Sequence, residues 1–156
     1  MLINFDKHLK KLKDIRAGKV NEGLRLGVER LDNHFRFVHG NMNFILGHAN
    51  TGKTHLVIYL MFLYSLKHNV RWLVFSSENE PYALIRKIIE FAEGKPINKI
   101  EKEDFEKQYE WVYNHFKFVD PEKAYTYKDL LELATAIKKA WDYQGFMIDP
   151  LNSLKK

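Results

Sequence analysis

The sequence predicts an α/β fold in which a mostly parallel sheet is covered by helices on both faces. Short apolar runs alternate with longer helical segments along the chain, and this alternation is typical of strands joined by crossover helices. Of the 156 residues, 46% are hydrophobic and 14% are aromatic. A chain of this length and composition can bury one core without disulfides or bound metals.

The composition and the apolar segments exclude several classes of protein. Cysteine is absent, which removes disulfide frameworks, thiol nucleophiles and cysteine-bound zinc sites. The first residues lack the continuous apolar core of a signal peptide, and the longest apolar stretch, residues 56–63, is too short to cross a bilayer. The net charge of +5 suits an anionic partner without requiring one. We therefore expect a soluble, intracellular protein with no membrane partner.

An amphipathic helix is predicted at the amino terminus, over residues 3–16. Its apolar side chains recur at spacings of four, three and three residues, with lysines between them. The polar stretch 18–23 then predicts a linker. We therefore assign residues 1–23 to this helix and its linker, and residues 24–156 to the main domain. The apolar positions of the helix are Phe5, Leu9, Leu12 and Ile15.

The main domain is predicted to alternate strands and helices. Strands are expected over residues 42–46, 70–75, 115–119 and 146–149, the first of them as a buried strand. Helices are expected over residues 53–68, from Pro81 to a stop at Gly94, and over residues 102–114. Thr126 and Asp129 match a variant capping box before a last helix, whose apolar face extends to Ile137.

The most informative pattern is a complete G-x-x-x-x-G-K-T loop at residues 47–54. Between a strand and a helix, the backbone N–H groups of such a loop bind phosphates together with the helix N-terminus. Lys53 would reach the β- and γ-phosphates, and the Thr54 hydroxyl would coordinate Mg²⁺. The alternative is a glycine loop that matches by chance. The predicted nucleotide-binding residues are Gly47, His48, Ala49, Asn50, Thr51, Gly52, Lys53, Thr54 and His55.

A carboxylate near the Mg²⁺ is expected at the end of an apolar strand in the same sheet. Asp149 ends the strand 146–149 and is the predicted second metal ligand, because ligands collect at the carboxyl ends of parallel strands. Alternatively, an Asp before Pro150 could simply start a turn. Asp120, which also follows a strand and precedes a proline, is the competing candidate on a shorter and more polar strand.

A second carboxylate should orient the water that attacks the γ-phosphate. Glu78 follows the strand after the phosphate-loop helix, and Glu80 lies two residues further on. Either side chain could be the base. Glu80 also suits the start of the helix at Pro81, since acidic residues favour the first turn of a helix. The residue spacing alone leaves both possibilities open.

Three segments together resemble the RecA-like ATPase domain of DnaB-type hexameric replicative DNA helicases, including their phage and Twinkle-like mitochondrial relatives. The first segment contains Gly27, Leu31 and Asp32 before the phosphate loop, the second is the strand-terminal Ser-x-Glu ending at Glu78, and the third is the Walker B-like strand ending at Asp149. The resemblance implies a P-loop NTPase fold over roughly residues 24 to 154. It also implies that Glu78, assisted by Lys53, is the catalytic residue. RecA-type recombinases and KaiC-like ATPases share this order of motifs and remain an alternative.

The resemblance implies a set of cofactors and partners. ATP and Mg²⁺ would bind the loop, and hydrolysis would drive translocation along single-stranded DNA and its unwinding in the full-length protein. The helix of residues 3–16 would dock on a neighbouring subunit and help to close a hexameric ring, or else pack on its own domain. A cytoplasmic location follows, which would be the host cytoplasm for a phage-encoded protein.

In the family, DNA-binding loops, further strands and an arginine finger follow the Walker B strand. We therefore expect the ATPase domain to be incomplete at its carboxyl end, as the front part of a longer helicase or as a shortened relative. On its own, such a chain should have weak ATPase activity or none. The alternative function is that of a non-catalytic homologue, which binds ATP or a helicase subunit and modulates assembly.

Overall fold

The computed structural model describes residues 4–19, 22–48 and 50–154. By its internal contacts the chain divides into two units, Met1–Met42 and Asn43–Lys156. The sequence-based boundary after residue 23 stays a prediction about domain organisation. The observed division falls later because residues 24 and 37 pair through an antiparallel bridge, which keeps both in the first unit.

The first unit contains α1 (Phe5–Arg16) and the short α2 (Glu29–Asp32). The predicted amino-terminal helix is confirmed over residues 5–16; residue 4 precedes the helix, and residue 3 lies outside the described residues. Its apolar side chains are exposed, with 77% of Phe5 and 61% of Leu12 accessible to solvent. Within the described part of the first unit, α1 therefore presents an uncovered apolar stripe.

Asp32 organises the segment around α2. Its side chain is only 5% exposed, and its two carboxylate oxygens accept hydrogen bonds from the N–H groups of Leu26 and Gly27, each at 2.7 Å. Arg36 Nε donates to the Asp32 carbonyl at 2.5 Å. Because a buried carboxylate needs such donors, Asp32 has a structural role here: it holds the turn that precedes α2.

The second unit contains a three-stranded sheet made of β1 (Trp72–Ser76), β2 (Phe116–Phe118) and β3 (Gly145–Asp149). All pairs are parallel, and the order is β2-β1-β3. The predicted α/β class and parallel sheet are thus confirmed. β1 begins two residues later than predicted, since the carbonyl of Val70 accepts a hydrogen bond from the Ser65 hydroxyl at 2.7 Å.

Four helices of the second unit agree with the sequence prediction: α3 (Lys53–His68), α4 (Pro81–Glu93), α5 (Lys102–His115) and α6 (Tyr127–Ala140). The capping box is confirmed, because the Asp129 N–H donates to Thr126 Oγ1 at 3.1 Å and the Thr126 N–H donates to Asp129 Oδ2 at 2.8 Å. The sequence predicts a strand over residues 115–119, but His115 is the last residue of α5.

Helices cover both faces of the sheet. On one face, Trp72 Nε1 of β1 donates to the Met61 carbonyl at 3.1 Å and to Ser65 Oγ at 2.9 Å, which fixes α3. On the other face, Leu73 and Phe75 pack in a buried cluster with residues of α6. Alternate β1 side chains therefore contact different helices, and the sheet forms the middle layer of the second unit.

The predicted buried strand at residues 42–46 is wrong. The segment forms no strand, and its apolar side chains are exposed, with 90% of Leu46 accessible to solvent. A strand requires a neighbour that satisfies its backbone N–H and C=O groups. In the described sheet, β2 and β3 each pair with β1 and with no other segment. Residues 43–46 therefore have no partner in the sheet. The G-x-x-x-x-G-K-T segment is consequently followed by the expected helix but not preceded by the expected strand.

None of the helices in the described segments is both long enough and apolar enough to cross a membrane.

Candidate functional site

The described residues of the loop, 47–48 and 50–52, lead into the start of α3. Asn50 and Gly52 have positive φ values of 59° and 82°, a region that glycine enters freely and asparagine tolerates. A Cβ atom on Gly47 would lie 3.3 Å from both the Lys53 side chain and Thr51 Oγ1. The backbone angle of Gly52 therefore favours glycine, and a side chain at Gly47 would require the Lys53 and Thr51 side chains to shift by a few tenths of an ångström.

The Lys53 side chain folds back over the loop. Its Nζ donates to the carbonyl oxygens of Gly47 at 3.0 Å and His48 at 2.6 Å. The hydroxyl of Thr51 donates to the His48 carbonyl at 2.9 Å. The loop therefore closes around an ammonium group that is bonded only to neutral carbonyls in these contacts, and a phosphate would be a stronger acceptor for it.

Thr54 and Asp149, the two predicted metal ligands, are brought together by the fold. Thr54 Oγ1 donates to Asp149 Oδ2 at 2.8 Å, although 95 residues separate them in sequence. Thr54 lies in the first turn of α3 and Asp149 is the last residue of β3. The N-terminus of the helix and the carboxyl end of the strand thus meet at one point.

Asn79 belongs to this cluster and was missed by the sequence analysis. Its Nδ2 donates to Asp149 Oδ2 at 3.5 Å, and its backbone N–H donates to Ser76 Oγ at 3.1 Å. The available signal was a polar residue just beyond a fully buried strand. The residues on either side of Asn79 are acidic and were the ones considered as catalytic candidates. Only the folded loop brings the Asn79 amide next to Asp149.

Glu78 and Glu80 lie in the loop between β1 and α4, and both side chains are exposed. The N–H of Ser77 donates to the Asp149 carbonyl at 3.0 Å, which holds the start of this loop next to β3. Glu80 is the N-cap residue of α4, and its carbonyl accepts from Ala83 N–H at 3.0 Å. This position fits the structural interpretation of Glu80, while Glu78 stays the candidate base by its place in the loop.

Asp120, the competing carboxylate, follows the strand at the opposite edge of the sheet from β3. It follows β2, which is separated from β3 by β1. Its Oδ1 accepts a hydrogen bond from the Glu122 N–H at 3.0 Å, so it shapes its own turn. Of the two candidate carboxylates, Asp149 is therefore the one that contacts Thr54.

The two histidines assigned to the nucleotide site are placed differently. His48 contributes its carbonyl to Lys53, as described above, and its side chain is exposed. The His55 ring packs edge-on against Phe91 of α4, with 5.0 Å between the ring centroids. His55 therefore contacts a neighbouring helix through its side chain. Ala49, also assigned to the site, lies outside the described residues.

The donor set fits Mg²⁺ bound together with phosphates. Thr54 and Asp149 offer hard oxygen ligands, and no group of three or more His, Asp or Glu side chains in the described segments forms a metal cage. Mg²⁺ keeps several waters and is commonly bound through one or two carboxylates plus phosphate oxygens, whereas structural zinc needs four protein ligands. The two oxygens are thus suited to supply part of the coordination of Mg²⁺.

Comparison with known proteins returned no match, whether to a family model, to a curated protein or to a solved structure. Support for a function comes from the residues of the site themselves.

Proposed function

We propose that the chain is the ATP-binding and ATP-hydrolysing part of a replicative DNA helicase, built on a RecA-like P-loop NTPase domain. The observation that carries the proposal is the 2.8 Å hydrogen bond between Thr54 Oγ1 and Asp149 Oδ2. It joins the last residue of a G-x-x-x-x-G-K-T loop to a carboxylate at the end of a parallel strand. This pair of oxygens is the one that P-loop NTPases use to hold Mg²⁺ beside the phosphates.

The loop and α3 would bind the phosphates. The first N–H groups of a helix have no partner inside the helix, and the positive end of the helix dipole favours an anion. Lys53 would exchange its two carbonyl acceptors, at 3.0 and 2.6 Å, for phosphate oxygens, because an ion pair with hydrogen bonds is stronger than a bond to a neutral carbonyl.

Thr54 and Asp149 would hold the metal ion. Mg²⁺, when bound, would neutralise the charge on the phosphates. Thr54 can offer an oxygen lone pair to the ion while its hydrogen still points to Asp149. The existing hydrogen bond therefore pre-organises the hydroxyl, and Asp149 supplies the negative charge that balances the ion.

Glu78 is the proposed base for hydrolysis. The water oxygen forms a bond to the γ-phosphorus while the bond between that phosphorus and the bridging oxygen breaks, which gives ADP and inorganic phosphate. Glu78 would orient the water and take its proton, and Lys53 would stabilise the negative charge that develops on the phosphate oxygens. Glu80 is the alternative base.

The helicase part of the proposal depends on the order of the motifs and on α1. Gly27, Leu31 and Asp32 precede the loop as in DnaB-type enzymes, and the exposed apolar stripe of α1 suits docking on a neighbouring subunit. The proposed assembly is a hexameric ring that moves along single-stranded DNA. A RecA- or KaiC-like ATPase would share the same nucleotide site.

A second candidate function is nucleotide binding without turnover, in a homologue that modulates helicase assembly. The observation that favours it is the exposed Glu78 side chain, which makes no hydrogen bond to Thr54 or Asp149 in the described structure. A base that does not reach the site would leave binding intact and hydrolysis slow.

Phosphate release from Mg·ATP, measured with and without single-stranded DNA, separates the two candidates. For the helicase ATPase we expect a weak release from this chain that DNA stimulates, that is lost in Glu78→Gln and that is retained in Glu80→Gln, the matched control in the same loop. Loss in Glu80→Gln with retention in Glu78→Gln would assign the base to Glu80. Nucleotide binding without release from any variant would favour the non-catalytic homologue.

A further inference from the structure

The side chain of Asn79 bridges the ends of β1 and β3. Its Nδ2 lies 3.3 Å from Ser76 Oγ and 3.5 Å from Asp149 Oδ2. A carboxamide nitrogen carries two hydrogens, so one can be directed to each acceptor. The opposite amide orientation would place the Asn79 oxygen against a carboxylate, which supports the assignment of the nitrogen to this position.

Ser76 gives Asn79 a rigid attachment. It is the last residue of β1, is only 5% exposed and pairs in register with Asp149 of β3. Its Oγ accepts hydrogen bonds from both the backbone N–H and the side chain of Asn79, at 3.1 and 3.3 Å. The Asn79 amide is therefore held by a buried part of the sheet even though it lies in a loop.

Two donors reach the same oxygen of the Asp149 carboxylate. Oδ2 accepts from Thr54 Oγ1 at 2.8 Å and from Asn79 Nδ2 at 3.5 Å. In the described structure no hydrogen bond engages Oδ1. Both donors thus hold Oδ2, with Asn79 as the longer contact, and leave the other oxygen available.

Both chain neighbours of Glu78 contact Asp149. The Ser77 N–H donates to the Asp149 carbonyl at 3.0 Å, and Asn79 donates to its carboxylate. The backbone of Glu78 is consequently tied on both sides to the residue that would hold the metal. Asn79 is the only one of these two neighbours whose side chain takes part.

We propose that Asn79 is a positioning residue for the Mg²⁺ of the nucleotide site. Its amide holds the Asp149 carboxylate so that Oδ1 stays free for the ion or for water bound to it, and it keeps the Glu78 loop in place relative to that ion. The inference rests on the proposed nucleotide site and adds to it a residue that the G-x-x-x-x-G-K-T and carboxylate motifs do not contain. Asn79 acts through Asp149 and does not itself bind the phosphates.

If Asn79 has this role, replacing it should change only the part of the nucleotide affinity that depends on Mg²⁺. The test is titration of the chain with a fluorescent methylanthraniloyl ATP, in excess Mg²⁺ and separately in excess EDTA, for wild type and Asn79→Leu. Leu has the same branching of side-chain heavy atoms as Asn, is larger, and cannot donate a hydrogen bond. The same substitution at the exposed Asn98, in the 3₁₀ turn between α4 and α5, is the matched control.

We expect Asn79→Leu to reduce the gain in affinity from Mg²⁺ by up to about fivefold, the factor that corresponds to a net contribution of roughly 1 kcal/mol from one hydrogen bond of ordinary length, because the contact of 3.5 Å is longer than that. Affinity in EDTA should be unchanged, and Asn98→Leu should match wild type under both conditions. Ser76→Ala, which removes the attachment of Asn79, should act in the same direction and provides the test if Asn79→Leu does not fold.

Three results would overturn the inference in distinguishable ways. An undiminished gain from Mg²⁺ in Asn79→Leu and Ser76→Ala would remove the role of Asn79 and leave the proposed nucleotide site standing. Equal losses in Mg²⁺ and EDTA would show that Asn79 only supports the loop. No nucleotide affinity in wild type under either condition would refute the proposed function itself, and the metal site with it.

Discussion

Asp149 contributes to the structure through two different groups. Its backbone carbonyl accepts the Ser77 N–H at 3.0 Å, and its carboxylate accepts the Thr54 hydroxyl at 2.8 Å. The first contact orders the loop after β1, and the second ties α3 to β3. A substitution of the Asp149 side chain would therefore remove the second contact and leave the first in place.

Replacing Thr54 tests the side-chain contact without altering Asp149. Thr54→Val has nearly the same shape and lacks the hydroxyl, so we expect the free energy of unfolding to fall by about 1 kcal/mol, the usual net value of one hydrogen bond. Urea denaturation measures this change. Thr54→Ser, which keeps the donor, is the control and should stay close to wild type. Equal stability of Thr54→Val and wild type would contradict a stabilising bond.

At the level of residues, the sequence motif predicted part of the site. Thr54 and Asp149 were predicted as partners because each has a recognisable position, one in the loop motif and one at the end of an apolar strand. Asn79 was missed because its contacts depend on how the loop after β1 folds back over Ser76. The position of Asn79 just after a buried strand was the available signal, but it does not specify the contact with Asp149, which is 70 residues away in the sequence.

α6 is the element whose start is most clearly determined by the sequence. Thr126 and Asp129 exchange two hydrogen bonds at its N-terminus. Thr126→Ala should lower the free energy of unfolding by about 1 kcal/mol, as measured by urea denaturation. Thr135→Ala, at an exposed position inside the same helix, is the control and should be up to about 0.7 kcal/mol more stable than wild type, because Ala has the higher helix propensity. A Thr126→Ala variant as stable as wild type would mean that the capping box adds no net stability.

The capping box also predicts a dependence of stability on pH. Hydrogen bonds from the Thr126 backbone and side chain hold the pKa of the Asp129 carboxyl below its ordinary value. The stabilisation is therefore complete above the unfolded pKa of about 3.9 and is lost as the pH falls through the lower folded pKa. Urea unfolding of Asp129→Asn across that acidic range should lack this component of the pH dependence. If Asp129→Asn and wild type showed the same dependence of stability on pH, the assignment to Asp129 would be contradicted.

At the level of elements, helices were predicted more reliably than strands. The helices have periodic apolar faces and terminal signals such as Pro81 and Gly94, which act locally. Residues 42–46 have the composition of a buried strand and are exposed, because strand formation depends on a neighbour that the run itself does not specify. The shift of β1 has a similar cause, since the Val70 carbonyl bonds to Ser65.

At the level of the whole molecule, the chain consists of two units with different features. The first unit exposes the apolar stripe of α1, and the second contains the layered sheet and the site at the carboxyl ends of β1 and β3. Amphipathic spacing predicted the helix, but it does not identify what covers the stripe.

For the whole chain, binding of Mg·ATP at residues 47–54 is the claim on which the other functional proposals depend.

Isothermal titration of the 156-residue chain with Mg·ATP tests this claim most directly. We expect binding to one site in wild type and at least about a tenfold loss of affinity in Lys53→Ala, since a charged contact to phosphate contributes roughly 1.5 kcal/mol or more. Lys107→Ala, on the exposed surface of α5, should bind like wild type. Absence of binding in wild type, or equal affinity in Lys53→Ala, would contradict a phosphate site at this loop.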